Sequence, residues 1–358
     1  MNHGIINATD CTGEATIVKI TIYTLAKELN MTPSMVSRAF NPNAKISEDK
    51  RRLVLETAEK YHFSPNRFAS RMSMKAVRVG VLINSKFHIN SKKMIAGVQD
   101  AHKELKDYKV QYDITLLNPS ECTNEELRQA IERYKSYDGI ILTGMSAECY
   151  TSTINELSGA NPNVVQVQAI NQNADYLFAS KHDEKIASAL AAEFLYNCLK
   201  RSQRKNILLF TGDLKSALHT SAADAFLASC ETLGLGLLAT VDMKDNEEYF
   251  ASILDEAFAR YGDQTDGIYI TSGVSAPLCR YLEEKGYDIP VVAFDTYEDI
   301  KFYMNKGIIS ATIAQNVGNQ MKKAFELLVK HLISGDECPL TVYTDVQLVL
   351  RSNMHQFN

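Results

Sequence analysis

Apolar residues recur along this chain with two different periods. Over the first sixty or so residues the period is helical. In TIYTLAKELN, Ile22, Leu25, Ala26 and Leu29 fall on one face behind Thr21, a good helix cap. A break at Asn30–Met31 leads to Thr32 and Pro33, a cap followed by a first-turn proline whose missing N–H costs nothing there. Val36, Ala39 and Phe40 give this second helix its buried stripe. Ser47 starts a third helix, with Glu48 and Asp49 in its first turn, where the macrodipole favours acids. Its apolar face is Leu53, Val54, Ala58 and Tyr61. FSPNRFASRMSMKAV then brings a proline break and one or two helical turns, too short to be stable alone.

From Val77 apolar runs alternate with amphipathic segments. VRVGVLI, VQYDITLL, DGIILTG, NVVQVQA, NILLFTG, GLLATVDM, DGIYITSG and PVVAFD read as strands, and EKIASALAAEFLYNCL and ASILDEAFARY as helices. That alternation predicts α/β architecture, with parallel sheets carrying helices on both faces. It comes in two batches, residues 77–175 and 176–310, which predicts two lobes. A last helix in SATIAQNVGNQMKKAFELLVKHL and a strand near DVQLVL are placed to cross back between them. The expected organisation is a polar disordered tail (1–18), a helical domain (19–64), a short hinge helix (65–76) and a two-lobed body (77–358).

Charge separates the small module from the body. Residues 19–78 hold 12 basic and 5 acidic side chains, a net of +7, while the rest hold 26 and 38, a net of -12. A basic module on an acidic body points to a polyanion partner. The second helix sharpens this, because NMTPSMVSRAFN carries no acid on its outward face. Two helices joined by a tight turn form a helix-turn-helix, whose second helix enters the major groove. Pro33, Ser34 and Arg38 are then the candidate base readers, Arg38 being suited to bidentate contact with guanine. Thr32, Ser37 and Asn41 are placed for phosphates, which position the protein without reading sequence. An ordinary three-helix cap with a basic surface is the alternative.

Residues 19–72 as a whole resemble the DNA-binding headpiece of the lactose-repressor (LacI/GalR) family. The matching features are TIYTLA, the TPSMVSRAFN helix, the IS…R start of the third helix, and YHFSPN followed by a hinge segment. In that family the hinge folds on operator DNA and inserts a leucine from each subunit into the minor groove. The resemblance puts Asn66, Ala69 and Met72 at the hinge's DNA contacts, with Met72 in the leucine's place. Methionine can also wedge a base step. Met35 stands where the family usually has Thr, which removes one phosphate contact.

The body resembles the family's effector domain, related to periplasmic sugar-binding proteins, through IPVVAFDTYED and GIISATIAQNVGNQMKKAFELL. The resemblance places Asp295 and Gln315 at polar ligand contacts, since a polar group left unpaired in a closed cleft is costly. A turn cap for Asp295 and an inter-lobe hydrogen bond for Gln315 are the structural alternatives. The arginine that commonly grips a sugar hydroxyl falls by spacing on Thr220, and the usual Asn-Asp pair is Ser272-Gly273. The loop NSKFHINS offers Asn84, Phe87, His88 and Asn90 as lining. The fold implied is intact, while the ligand is open among an atypical sugar, a cyclitol or another small polar metabolite.

The remaining chemistry mostly excludes. Seven cysteines are scattered without a CxxC pair, which fits reduced thiols in cytoplasm. No apolar run approaches the ~20 residues of a membrane span, and the first 18 residues lack the form of a secretory signal. TGMSAE, TGDLKS and TSGVSA match neither phosphate-binding glycine motif, SGVSA is not a GxSxG elbow, and the eight histidines show no metal-ligand spacing. No enzyme, cofactor or metal site is expected. The reading is a cytoplasmic, sequence-specific DNA-binding transcription regulator. It is expected to be a repressor that binds double-stranded operator DNA as a homodimer under control of a small, sugar-like effector. The alternatives are the same DNA binder under a protein corepressor, or a solute-binding transport protein, which would need an export signal and have no use for the basic module.

Overall fold

Three short helices build the first of two units into which the chain divides, residues 1–75 and 76–358. The computed structural model describes residues 5–9, 15–40, 44–61, 63, 76–86, 88–118, 124–244, 246–273 and 275–357. In the first unit α1 (Ile22–Glu28) begins at Thr21 with a reciprocal capping box: Thr24 N donates to Thr21 Oγ1 at 3.2 Å and Thr21 N donates to Thr24 Oγ1 at 2.7 Å. Asn30 takes a left-handed conformation (φ 52) that turns the chain within two residues. Thr32 then caps α2 (Pro33–Ala39), accepting from Met35 N at 3.2 Å. The third helix, α3, is Glu48–Lys60. Leu25, Ala26, Val36, Ala39, Val54 and Ala58 close the small core with Ile20.

Two expectations change here. Leu53 is 46% exposed, because the stripe that meets α1 and α2 runs through Val54 and Ala58, one helical turn apart. The stretch expected as a disordered tail instead carries strands β1 (Ile5–Thr9) and β2 (Ala15–Lys19), paired antiparallel with Ile5 opposite Lys19. β-Branched residues recur in both (IINAT, ATIVK), which favours a pleated ribbon. The expected hinge helix, with Asn66, Ala69 and Met72, lies outside the described residues, as do Asn41 and Phe87.

The second unit holds two six-stranded sheets of matching topology. In chain order the strands are β3 (Val77–Asn84), β4 (Val110–Leu117), β5 (Gly139–Thr143), β6 (Val164–Val167), β7 (Phe178–His182), β8 (Asn206–Thr211), β9 (Gly236–Asp242), β10 (Gly267–Ile270), β11 (Val291–Phe294), β12 (Ala311–Ala314), β13 (Thr341–Thr344) and β14 (Gln347–Val349). The first sheet runs β13-β7-β6-β5-β3-β4 and the second β14-β12-β11-β10-β8-β9. Every pairing is parallel except β12 with β14. Their connecting helices are α4 (His88–Glu104), α5 (Asn124–Tyr134), α6 (Thr151–Ala160), α7 (Glu184–Leu199), α8 (Ala217–Leu233), α9 (Phe250–Tyr261), α10 (Ser275–Lys285), α11 (Glu298–Lys306) and α12 (Val317–Ser334). Strands buried on both faces, such as β5 and β11, explain the continuous apolar runs in the sequence.

The lobe boundary falls later than the sequence predicts. Phe178–His182 is the fifth strand of the first sheet, so the chain first leaves that lobe after His182. It returns after β12, because α12 packs Met321, Phe325 and Leu328 into the first lobe's core, and crosses again between β13 and β14. The α12 helix lies close against α4. A Cβ on Gly97 would collide with the carbonyl oxygen of Gly318 and sit 3.1 Å from its carbonyl carbon.

Candidate functional site

Because the two sheets share a topology, their strand ends face each other, and the crossovers fall at equivalent places. His182 and Gln315 stand at the ends of the equivalent strands β7 and β12, Gln168 and Asp295 at the ends of the equivalent strands β6 and β11, and all four line one cavity. Gln168 (φ 71) and Asp295 (φ 72) are both left-handed without being glycine. Such backbone costs of order 1–3 kcal/mol and collects at functional sites. Between the lobes lies a cavity of about 240 Å³, lined by Asn84, Asn90, His182, Ser272, Asp295 and Gln315 among others. Ligands of open α/β sheets bind outside the carboxyl ends of strands, which is where these residues sit.

The polar wall is one connected network. Asn90 Nδ2, from α4 in the first lobe, donates to the Tyr297 hydroxyl at 2.9 Å. Tyr297 donates to Asp295 Oδ2 at 2.8 Å, and Gln315 Nε2 donates to the same oxygen at 3.0 Å. Lys93 Nζ reaches across to Thr296 Oγ1 at 3.1 Å. Gln320 Nε2, one turn into α12, holds the Gln315 carbonyl at 3.0 Å. Burial pushes the Asp295 carboxyl above the usual carboxylate range, partly offset by the Gln315 and Tyr297 donors and the Lys93 charge. Burial likewise pushes Lys93 down. His182, buried at 4% exposure, is held below its ordinary value mainly by desolvation. Among the described residues its Nδ1 has no partner, and neither has Ser272 Oγ on the opposite lobe.

Of the body residues singled out from sequence, Asn84, Asn90, Ser272, Asp295 and Gln315 line this cavity. Asn84 also ties two strand ends, its Oδ1 accepting from Lys86 N at 2.9 Å while its backbone N donates to Thr143 Oγ1 at 2.8 Å. Asp295 is no turn cap: both contacts to its carboxylate come from side chains, Tyr297 and Gln315. Thr220 is exposed on α8 and absent from the lining, its hydroxyl donating back to Leu214 O at 2.9 Å. His219, its neighbour in sequence, is on the cavity side. His182 belongs to no motif, and Tyr297, though inside IPVVAFDTYED, is not among the candidates singled out from sequence. The signal that finds His182 is its place at the end of a buried strand, immediately before Asp183, the cap of α7.

In the first unit, Ser34, Ser37 and Arg38 project as exposed side chains from α2, and Thr32 is exposed at its start. Thr32 spends its oxygen lone pair on Met35 N and keeps its hydroxyl proton for an outside acceptor. Pro33 is half-buried at the first helical position. Arg51 of α3 braces this helix from behind. Its guanidinium donates to Ala39 O at 3.1 Å and Ala44 O at 2.9 Å, tying the end of α2 to the segment that follows. Among the described residues no helix is long and apolar enough to cross a membrane, and no cluster of three His, Cys, Asp or Glu is placed to hold a metal.

The periplasmic binding protein domain family matches residues 79–337. Catabolite control protein A of Priestia megaterium is 24% identical over 287 residues, 78% of this chain and 83% of that protein. Catabolite control protein B of Bacillus subtilis (strain 168) is 26% identical over 276 residues, 75% of this chain and 82% of its own. Among solved structures, the glucose-galactose binding protein GanP of Geobacillus stearothermophilus superposes with TM-score 0.67 at 19% identity, over 78% of this chain and 99% of that one. A chain described as a LacI transcriptional regulator from Bacteroides fragilis gives TM-score 0.66 at 18% identity, over 79% and 100%. With a periplasmic binding protein domain as its body and a capped helix-turn-helix ahead of it, the chain belongs to the LacI/GalR family of DNA-binding transcriptional regulators.

Proposed function

We propose that this protein represses transcription from a two-fold symmetric operator as a cytoplasmic homodimer, and that a small polar metabolite held between its lobes sets its DNA affinity. The observation that carries the reading is the cavity wall itself. Polar side chains line one cavity from both lobes, Asn84, Asn90 and His182 from the first and Thr271, Ser272 and Asp295 from the second. Buried polar groups are rarely left unsatisfied, so the site is built for a molecule rich in O–H or N–H groups. A sugar or cyclitol has that chemistry, and the solved relatives include binding proteins for glucose-galactose and arabinose. The absence of the usual arginine at Thr220 argues for an unusual member of that class.

Control follows from where the ligand sits. A molecule bonded to both lobes favours one relative angle of the two, and it shifts the population by its difference in affinity between the two arrangements. In a dimer that angle sets the separation of the two hinge segments, and with it the fit to paired half-sites. Arg38 and Ser34 then read base edges while Thr32 and Ser37 fix register on phosphates. The test is a thermal-shift screen of the full chain against sugars, sugar phosphates, cyclitols and polyols. A ligand at 100 times its Kd adds about 2.7 kcal/mol, and the hit is expected to weaken with Asp295→Ala and Gln315→Ala. Silence across the panel from folded protein, with operator binding intact, would transfer control to a protein corepressor.

A further inference from the structure

A second cavity, of about 410 Å³, adjoins the first. Asn90, Asp295 and Gln315 line both, so the hydrogen-bonded network stands between them. The second cavity is walled by Lys93 and Asp100 of α4 and by Gly318 and Lys322 of α12. Its volume falls in the range of small-molecule sites, about 300–1,000 Å³. Charge within it is unevenly matched. Asp295 is bonded to Tyr297 and Gln315, Asp100 to Lys103, and Lys322 to Glu104. Lys93 is half-buried and pairs with no carboxylate among the described residues. An ammonium carries three donors, of which Thr296 Oγ1 takes one at 3.1 Å. Asp295 acts on Lys93 only at longer range, and burial works against the charge. A buried cation is costly unless it is paired. Of these groups, Lys93 is the one whose counter-ion the chain does not supply.

The start of α12 is packed against Lys93. A Cβ on Gly318 would come within 2.9 Å of the Lys93 carbonyl oxygen, so only glycine lets the two helices approach this closely. Asn316 caps α12 by accepting from Asn319 N at 3.0 Å. The N–H groups of Val317 and Gly318, ahead of Asn319, have no carbonyl within the helix to bond. We propose that this cavity is an anion site: a small oxyanion, the phosphate or carboxylate group of a metabolite, binds Lys93 Nζ, with the first-turn N–H groups of α12 completing its shell. The room beyond a single oxyanion holds the rest of a small organic molecule. An anion that draws Lys93 from Thr296 removes a hydrogen bond between the lobes, so its binding and their relative angle are linked. The site does not rest on the effector reading, which concerns the cavity across the shared wall.

The test is thermal unfolding of the full chain in phosphate-free buffer, titrated with inorganic phosphate, with citrate, and with sodium chloride at matched ionic strength. Phosphate or citrate should raise Tm saturably and beyond chloride, and whichever does so names the oxyanion. Lys93→Met keeps the apolar stem and loses the charge. It should bind that anion about tenfold or more weaker, the loss of one charged hydrogen bond. Lys285→Met, at the exposed end of α10, should bind it like wild type. No saturable shift beyond chloride overturns the inference. So does undiminished binding by folded Lys93→Met, which would put the anion elsewhere, on the basic helical unit for example. If Lys93→Met does not fold, selenate soaked into phosphate-free crystals of the wild-type protein decides instead. An anomalous peak within hydrogen-bond distance of Lys93 Nζ supports the site, and peaks only elsewhere, or none, overturn it. Neutral sugars test the effector reading separately, so the two can fail independently.

Discussion

Tyr297→Phe deletes a single oxygen on which two lobes depend. That hydroxyl accepts from Asn90 Nδ2 at 2.9 Å and donates to Asp295 Oδ2 at 2.8 Å. Asn90 is only 7% exposed, so its amide loses the hydroxyl it donates to and has little access to water. A stranded buried donor costs about 1–3 kcal/mol, and a hydrogen bond to a charged group contributes about 1.5–3 kcal/mol. Both losses flow through one atom and do not add fully, so the expected destabilisation is about 2–4 kcal/mol. At about 2–4 °C per kcal/mol for a domain of this size, Tm should fall by about 4–16 °C. The Asp295 carboxyl, already raised by burial, should rise further because Tyr297 is one of the groups holding it down. The assay is thermal unfolding of wild type, Tyr297→Phe, Asn90→Ala and the double variant. A Tm within about 1 °C of wild type, or strict additivity of the two single changes, would refute the claim that this oxygen couples the lobes.

Other changes have equally definite outcomes. Asp295→Asn should raise Tm at neutral pH while weakening ligand, because a carboxyl whose pKa rises on folding favours the native state in acid and loses that advantage as pH climbs through its folded value; unfolding followed against pH should show the difference vanish in acid. Gly97→Ala should destabilise by about 1–3 kcal/mol through overpacking, since its Cβ meets the Gly318 backbone, which has no flexible end to move; denaturant unfolding measures it. Arg38→Ala should relax specificity at one base pair of each half-site by about 1–3 kcal/mol, whereas Ser37→Ala should weaken binding to all sequences alike; competition with mismatched duplexes separates them. Arg51→Ala should lower operator affinity while leaving Arg38 in place, because the end of α2 loses its brace at Ala39 O and Ala44 O.

Local chemistry made the helical unit legible. Thr21, Thr32 and Pro33 mark helix starts by side-chain hydrogen bonding and fixed φ, effects that need no distant partner. The central strands, such as β3 and β11, were legible for a different reason: apolar runs buried on both faces have few other uses. Phe178–His182 was not, because FASKH ends in polar residues that are buried only where lobe and crossover meet. Missing that strand hid His182, whose setting depends on Gln315 more than a hundred residues away. Thr220 failed for a related reason. Spacing from a strand fixes a residue's place along a helix, but helix phase put His219 on the cavity and Thr220 outside it. Tyr297 stands inside IPVVAFDTYED, but its partner Asn90 comes to it from the other lobe, a contact no local pattern encodes.

The proposed function requires a two-fold, sequence-specific DNA binder whose affinity is set from the cavity. Its most direct test is selection of the full chain against a random duplex library, followed by salt titration on the enriched site. The expected result is a near-palindromic site with a guanine contacted in each half, lost on Arg38→Ala, and binding that weakens linearly in log salt as phosphate contacts are released. Enrichment of no site, or equal affinity for the selected and scrambled duplexes at every salt concentration, would contradict it.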